Sequence, residues 1–495
     1  MYARGHLAAA RSRTGRAEPA GRRHAVAVLD SEESVIRAAG SGFPVGHRRV
    51  IIAGFVVALA LSGFTPPALR AQAPVRTRRA LTGGPAGVRL QLGYAADAFL
   101  PARGGLSREV VALDNLDLLL HLNLDVLFGV KETSVRVHVQ SNRGSSVSAR
   151  VGDLQGVSNI EAAREWRLYE AWIEHNIVAR RLSILAGVYD VNAEFDVIPA
   201  AGDFLNSSFG FGPEYSLSGE GGPSAYPLTS FGARLKARPA PALYALLGVS
   251  DGVVAVAERS RFALGDGEGA LVSFEAGYTR ALTGVIPVVE EPLPRVRRGR
   301  GRAIGRQQRR GRRWRIGRGR IVERVHTKVA LGGWAYTRRF EVWDPDESLG
   351  RSWGVYLLGE RVLYEAPNGT GGLSGFARVG TAADAVNRLD LYMGGGLVYF
   401  GALPGRPEDV AGLGIAYARN GSPFLRARRA AGIPMERAET VLEVMYKAQF
   451  GELFVLEPNV QWVMNPGMDP GVANALVFGL RGHVLLEFPS RRSGG

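Results

Sequence analysis

The chain has 495 residues, no cysteine and a formal net charge of +15. Without cysteine there is no disulfide framework, which fits an oxidising compartment without proving one. The positive charge is local, because residues 1–73 contribute +6 and residues 295–320 contribute +13, leaving −4 for the rest of the chain.

The N-terminal region contains the pattern of a secretory signal peptide. Arg48 and Arg49 precede an apolar stretch at 50–64, and the small-residue site Ala71-Gln72-Ala73 follows. An uncleaved membrane anchor is the less favoured alternative, because the apolar run is short and a cleavage site follows it. We predict an unstructured leader or a start site placed too early at 1–46, a signal peptide at 47–73 and a short N-terminal segment at 74–87.

Residues 116–128 show the clearest periodicity of the chain. Every even position is apolar and most odd positions are polar, and residues 135–140 alternate in the same way. A period of two indicates β-strands. An apolar outer face combined with a polar inner face is typical of a transmembrane β-barrel. One half-buried hairpin of a soluble sandwich is the alternative.

Sixteen segments are predicted as strands. They are 88–97, 116–128, 135–140, 165–177, 182–190, 229–238, 243–251, 270–281, 328–338, 353–364, 373–380, 389–401, 411–419, 438–450, 454–464 and 474–488. Tight turns, such as 178–181 and 451–452, alternate with long loops, such as 142–164 and 420–437, as in outer-membrane barrels. We therefore predict an all-β fold, an antiparallel transmembrane barrel of about sixteen strands over residues 88–488, with a C-terminal tail at 489–495.

Two connections stand out. The third external loop, 191–227, is the longest, and we favour its folding into the lumen over a surface lid. The predicted periplasmic turn at 287–320 carries the Arg-rich run, which has no apolar periodicity and is predicted to be disordered. We interpret it as a solvated insertion, with an anion contact as the alternative. RNA binding through its RGR repeats is disfavoured by the signal peptide, so no nucleic-acid partner is expected.

Several stretches resemble the carbohydrate-selective porin family (OprB-type) of Gram-negative outer membranes. They are YEAWIEHNI (169–177), LAGVYDVNAEFDVIPAAGDFLNSSFGFGPEYSLSG (185–219), YPLTSFGARLK (226–236), LGGWAYT (331–337), LSGFARVG (373–380), LYMGGGLVYFGALPGRPEDVAGLGIAYAR (391–419) and VLEPNVQWVMNPGMDPGVANALVFGLRGHVLLEF (455–488). The resemblance implies a sixteen-stranded barrel in the outer membrane that passes glucose-like sugars passively into the periplasm. A general or anion-preferring porin is the alternative. The expected partners are sugar solutes, outer-membrane lipid and lipopolysaccharide, and the barrel-assembly machinery, which would read Phe488.

A sugar is neutral, with many hydroxyls and apolar ring faces, so a selective channel needs charged or amide groups and aromatic rings. The candidate substrate-binding residues at the constriction and lumen are Glu194, Asp196, Asn206, Glu214, Arg234, Lys236, Trp334 and Arg378. For each, structural pairing within the wall is the alternative. Trp334 would instead belong to an interfacial girdle if its strand were shifted by one residue.

An enzyme is not expected. The histidines of the mature chain lie in no recognisable nucleophile motif, and no HExxH-type metal spacing occurs. We therefore expect no catalytic residue, no metal and no cofactor.

Overall fold

A computed structural model describes residues 87–178, 181–254, 269–286, 320–344, 349–366, 371–451 and 453–489. The predicted leader, signal peptide and nearly all of the short N-terminal segment, the Arg-rich insert up to residue 319 and the tail from residue 490 lie outside these ranges.

The described chain forms one closed barrel of sixteen antiparallel strands, in which β1 pairs with β16 and every other strand pairs with its sequence neighbours. This confirms the predicted fold class and strand number. The strands are β1 Val88–Arg103, β2 Val111–Asn123, β3 Thr133–Gly144, β4 Glu165–Ile177, β5 Leu182–Tyr189, β6 Ser230–Ala240, β7 Leu243–Asp251, β8 Ala270–Ile286, β9 Arg320–Glu341, β10 Leu349–Glu365, β11 Gly372–Ala382, β12 Leu389–Phe400, β13 Val410–Asn420, β14 Ala438–Phe450, β15 Phe454–Met464 and β16 Ala475–Pro489.

Long connections leave one end of the barrel, called the external end, and the opposite end carries both strand termini, Val88 and Pro489. Two external connections matter for the site, loop 2 (residues 145–164) and loop 3 (residues 190–229). The short helices are α1 Leu124–Phe128, α2 Ser148–Val151, α3 Ser207–Gly210, α4 Pro213–Ser216 and α5 Ser422–Ala430, with 3-10 turns at Val191–Ala193, Ala201–Asp203 and Pro466–Met468. Within the described ranges, no helix has the length and apolar character needed to cross a membrane.

The predicted strand 116–128 is wrong at its C-terminal end, where α1 replaces the last five residues. The side-chain oxygen of Asn123 accepts hydrogen bonds from the backbone N–H groups of Asp125 and Val126, at 3.1 and 3.4 Å, and so caps a helical turn. Gly129 closes the turn with a φ of 73°, a conformation that glycine adopts without a steric penalty. Local capping chemistry therefore overrides an alternation that continues in the sequence.

The outer face of the barrel is apolar and has aromatic residues near both ends. Trp166, Trp353 and Trp462 lie exposed on outward positions towards the external end, and Phe454 and Phe488 do so at the opposite end. Aromatic girdles at two levels, with Leu and Val between them, are the outer surface of a barrel that sits in a lipid bilayer.

On one side of the barrel, the side chains of the inner face are small. The inward positions of β12 and β13 include Gly394, Gly396, Gly412, Gly414 and Ala416. A recessed wall of this kind leaves space for large side chains that come from elsewhere. Loop 3 fills this space, because a Cβ atom added at Gly414 would lie only 2.7 Å from Cζ of Phe209.

Candidate functional site

Loop 3 crosses the lumen and is bound to the wall opposite its own strands. The backbone N–H groups of Leu205 and Asn206 donate to the two carboxylate oxygens of Glu443 on β14, at 2.7 and 3.0 Å. The side-chain amide of Asn206 donates to Gln461 on β15 at 3.1 Å. The prediction that this loop folds into the lumen is confirmed.

Arg378 on β11 provides the most enclosed attachment of loop 3. Its Nε donates to Asp196 at 2.6 Å, and its two terminal nitrogens donate to the two carboxylate oxygens of Glu214 at 2.7 and 3.0 Å. Arg378, Asp196 and Glu214 are 3%, 2% and 1% exposed. A guanidinium held by two carboxylates in this geometry fixes two separate points of the loop, Asp196 and Glu214, to a single wall position.

A second ionic attachment lies at the base of loop 3. Glu194 accepts hydrogen bonds from Arg234, at 2.9 Å, and from Lys236, at 3.0 Å, both on β6. Arg234 also donates to Glu174 on β4 at 2.9 Å. Acidic residues of loop 3 therefore face basic residues of the wall at these pairs and at the Arg378 cluster.

Aromatic stacking secures the middle of loop 3. The ring of Tyr215 stacks on Trp334, with centroids 5.0 Å apart and planes 9° apart, and its hydroxyl lies 2.6 Å from Ser273 Oγ. Trp334 is 2% exposed, so it faces the lumen and not the lipid. The alternative that placed Trp334 in an interfacial girdle is wrong. The parallel contact makes Trp334 a packing surface for the loop.

Loop 2 also enters the lumen. The backbone N–H groups of Leu154 and Gln155 donate to Glu439 on β14, at 2.9 and 3.0 Å. Asn159 and Arg481 of β16 are joined at 2.8 Å, and Arg481 binds Asp97 of β1 at 2.6 and 2.7 Å. Loop 2 is therefore tied to the wall formed by β14, β16 and β1.

Asp153 of loop 2 lies half-buried beside these attachments. Its two carboxylate oxygens are shielded from solvent. Burial, together with the nearby charge of Glu161, raises the pKa of Asp153 from 3.8 to about 6.

A cavity of about 650 Å³ remains between the two loops and the wall of β1–β3 and β14–β16. The wall contributes Ala95, Asn115, Asp117, Gln140, Lys447, Val455, Glu457, Arg481 and His483, and loops 2 and 3 contribute, among others, Gln155, Asn159, Glu161, Asn192, Ser207, Phe211, Ser216 and Tyr226. Polar groups thus dominate the wall side, and the loop side adds two aromatic rings, those of Phe211 and Tyr226.

Charges of both signs face this cavity. The Asp117 side chain is 33% exposed and accepts from Asn115 at 2.7 Å and from Gln140 at 2.9 Å. The Lys447 side chain is 24% exposed and lies 3.0 Å from Asp203. A mixed lining of carboxylate, ammonium and amide groups can exchange hydrogen bonds with water or hydroxyls while giving weak ion selectivity.

The candidate residues predicted from the sequence lie around this cavity but not on it. Asn206, Asp196, Glu214, Arg234, Trp334 and Arg378 are buried in contacts between loop and wall, and Glu194 and Lys236 keep partly exposed side chains near the base of loop 3. Their assignment as sugar contacts stays a prediction. The cavity residues Lys447, Glu457 and Arg481 lie on strand faces that the alternation predicts to be inward.

Sequence reasoning missed the contribution of loop 2 and of Asp117, Asn115 and Gln140. The alternation places the β2 and β3 residues on the inner face, but it does not tell which inner positions loop 3 leaves uncovered. The signal that could have helped is the glycine-rich inner face of β12 and β13, because large loop side chains pack where the wall is small.

A closed sixteen-stranded barrel with an apolar outer band, a polar cavity and inward-folded loops defines an outer-membrane porin. The family described as "Carbohydrate-selective porin, OprB family" matches residues 108–486. The chain therefore belongs to this family, and it is a carbohydrate channel of the Gram-negative outer membrane.

The chain is also similar to a curated relative and to solved structures. It is 24% identical over 431 residues to Porin B of Pseudomonas aeruginosa, covering 80% of this chain and 87% of the relative. The high pH structure of Pseudomonas putida OprB matches with a TM-score of 0.64 and 20% identity, covering 81% of this chain and 94% of the other, which supports the fold. The low pH structure of the same protein matches with a TM-score of 0.48, 18% identity and coverage of 81% and 93%.

Proposed function

We propose that this porin passes glucose-like monosaccharides and small oligosaccharides passively into the periplasm, through the cavity between loops 2 and 3 and the polar wall. The observation that carries the proposal is the mixed lining of this cavity, with Asp117 and Lys447 both accessible to solvent. A sugar has no net charge and many hydroxyls. Its hydroxyls can therefore take the place of water in the hydrogen bonds of both Asp117 and Lys447.

The contacts with the sugar are weak and exchangeable in this account. Asn115 and Gln140 offer amide groups beside Asp117, and Phe211 offers a ring face from loop 3. Each hydroxyl would exchange one hydrogen bond to water for one to the wall, so that the net gain is small. Weak binding is what passage requires, because a tightly held sugar would block its own channel.

The eight residues predicted from the sequence serve this function in two ways in our proposal. Glu194 and Lys236 keep solvent access and contact solute at the base of loop 3. The other six act indirectly, by fixing the loop that shapes the cavity. They are Asp196, Asn206, Glu214, Arg234, Trp334 and Arg378.

Single-channel recording of Asp117→Asn and Lys447→Gln tests the proposed path. Each variant should weaken block by glucose by about threefold to tenfold, as expected for the loss of one hydrogen bond to a charged group. Asp390→Asn is the matched control, since Asp390 pairs with Arg419 at 2.8 Å and does not line the cavity. Unchanged glucose block in both lumen variants would contradict this path.

An anion-preferring porin is the second candidate, and the cations Lys447 and Arg481 in the cavity are the observation that favours it. Titration with phosphate on the same channels separates the two. Phosphate block without sugar block would support the anion-preferring channel.

Maturation is also part of the proposal. We propose cleavage after Ala73, a barrel domain over residues 88–488 that sits among outer-membrane lipids and lipopolysaccharide, and recognition of Phe488 by the barrel-assembly machinery. Phe488 faces outward, is 52% exposed and lies in β16 opposite Leu90. N-terminal sequencing of the mature protein tests the cleavage site, and the yield of assembled Phe488→Ala protein tests the recognition.

A further inference from the structure

The external rim of β3 and β4 carries a cavity that lies apart from the solute path. It has a volume of about 340 Å³ and is lined by Ser141, Asn142, Arg143, Arg164, Glu165 and Trp166. None of these residues lines the larger cavity inside the barrel.

The outward residues of β3 and β4 form rows of graded polarity at this place. Val139 lies opposite Leu168, and one row nearer the external end Ser141 lies opposite Trp166. Pairing ends at Asn142 opposite Glu165, so Arg143 and Arg164 are the next residues of the two segments. From the middle of the bilayer outwards, an aliphatic pair (Val139 and Leu168) is therefore followed by Ser141 with Trp166, and then by the two guanidinium groups.

The carboxylates of this rim do not neutralise both guanidinium groups. Both arginines are exposed, and no carboxylate within the described ranges forms an ion pair with Arg143 or Arg164. The carboxylate of Glu165 is directed to Arg167 instead, at 2.9 Å. Asp114 lies opposite Arg143 in the register of β2 and β3. The rim is thus left with at least one uncompensated positive charge. Neighbouring like charges are unfavourable unless an anion lies between them.

We propose that this rim cavity binds the phosphate-bearing headgroup of a lipid in the outer leaflet. The two arginines bind the phosphate oxygens, the exposed Trp166 lies at the headgroup level, and an acyl chain lies along Val139 and Leu168. Arginine presents a planar set of donors that matches phosphate. Tryptophan prefers the boundary between headgroups and acyl chains, and basic pockets at this level recognise anionic lipids. Trp166 is 56% exposed and Leu168 is 37% exposed, so both are accessible to lipid.

The test is native mass spectrometry of the refolded porin in neutral detergent with diphosphoryl lipid A as the probe. The wild-type protein should retain the lipid, and the double variant Arg143→Gln/Arg164→Gln should bind it about tenfold or more weakly, as expected when charged hydrogen bonds are lost. Arg419→Gln is the matched control, because Arg419 lies at the external end of β13 and is already neutralised by Asp390 at 2.8 Å. This control should bind as the wild type does.

Three results would overturn the proposal. Equal lipid retention by the double variant would show that the arginines are not the binding groups. Equal loss in Arg419→Gln would show general electrostatic attraction instead of a site. Competition by inorganic phosphate at the same concentration as the lipid would indicate a free-anion site. Heat-modifiable gel mobility verifies folding, and the single variants Arg143→Gln and Arg164→Gln carry the same test if the double variant fails to assemble. Sugar block of the channel does not depend on the rim cavity. The proposed sugar path and the proposed lipid site can therefore be contradicted independently of each other.

Discussion

Arg378 of β11 and Glu214 of loop 3 form a bidentate ion pair inside the barrel, with N–O distances of 2.7 and 3.0 Å and almost no exposure to solvent. The pair joins a wall residue to a loop residue that is 164 positions earlier in the chain. It therefore determines where the loop lies across the lumen and how much of the lumen remains open.

Arg378→Gln should release this attachment. Leaving the carboxylates of Asp196 and Glu214 buried without their cation costs about 3–5 kcal/mol, which favours movement of the loop into solvent. We expect a larger single-channel conductance and weaker glucose block. Arg338→Gln is the matched control, because Arg338 also binds loop 3, through Glu220 at 2.8 Å, but that pair is exposed. Equal effects of the two substitutions would contradict the special role of the buried pair.

Gly414→Ala should also displace loop 3, in this case by crowding the wall against which the loop packs. A Cβ atom there would lie 2.7 Å from Phe209 and 2.9 Å from Phe204, so the aromatic rings must shift. Overpacking of this kind costs about 1–3 kcal/mol. The expected result is a lower unfolding temperature and a larger conductance. Gly359→Ala is the control, since its nearest atom would be 3.5 Å away. If Gly414→Ala has the same unfolding temperature and conductance as this control, loop 3 does not pack into the recessed wall.

Deletion of residues 206–214 should increase the conductance further. The segment contains Asn206, which binds Glu443 and Gln461, and Glu214, which binds Arg378. Removing it opens the lumen and lets water reach the charges that the loop had covered. Single-channel recording of the deletion protein, with heat-modifiable mobility as the test of folding, measures the effect. A folded deletion protein with unchanged conductance would remove loop 3 from the constriction.

The channel should also depend on pH through Asp153. Its pKa in the folded protein, about 6, is raised above the ordinary 3.8, so the contribution of this residue to the stability of loop 2 is complete below about pH 4 and is lost as pH rises through 6. Loop 2 lines the cavity, and we therefore expect conductance to rise between pH 4 and pH 7.

Asp153→Asn should remove most of this dependence, because the amide stays neutral throughout. Asp125→Asn is the control, since Asp125 is exposed in α1 at the opposite end of the barrel, away from loop 2. Glu161 and the buried Glu439 lie near Asp153, and both are unchanged in this variant. A pH profile of Asp153→Asn identical to that of the wild type would assign the dependence elsewhere.

The barrel could be predicted because its main determinant is local. Alternation of apolar and polar residues specifies a strand and both of its faces, and the order of tight turns and long loops specifies an antiparallel meander. The α1 helix was missed because the Asn123 cap and Gly129 outweigh the alternation over five residues. The predicted first strand ended at residue 97, whereas β1 continues to Arg103 because residues 98–103 pair with β16.

The site could be predicted only in part. The sequence indicates an inward loop with acids and a basic wall, and these groups do meet. It does not indicate that Arg378 meets Asp196 and Glu214, because that contact depends on the path of a long loop across the lumen. Once the loop covers β8–β13, the uncovered charges are those of Asp117, Lys447 and Arg481. Which inner residues touch solute is thus a property of the tertiary structure.

Single-channel conductance of the refolded mature protein, from Pro74 onwards, with added glucose tests the central claim most directly. We expect saturable block at millimolar glucose, weakened in Asp117→Asn and Lys447→Gln and retained in Asp390→Asn. Open channels that do not respond to glucose but are blocked by phosphate would contradict a sugar path through this cavity.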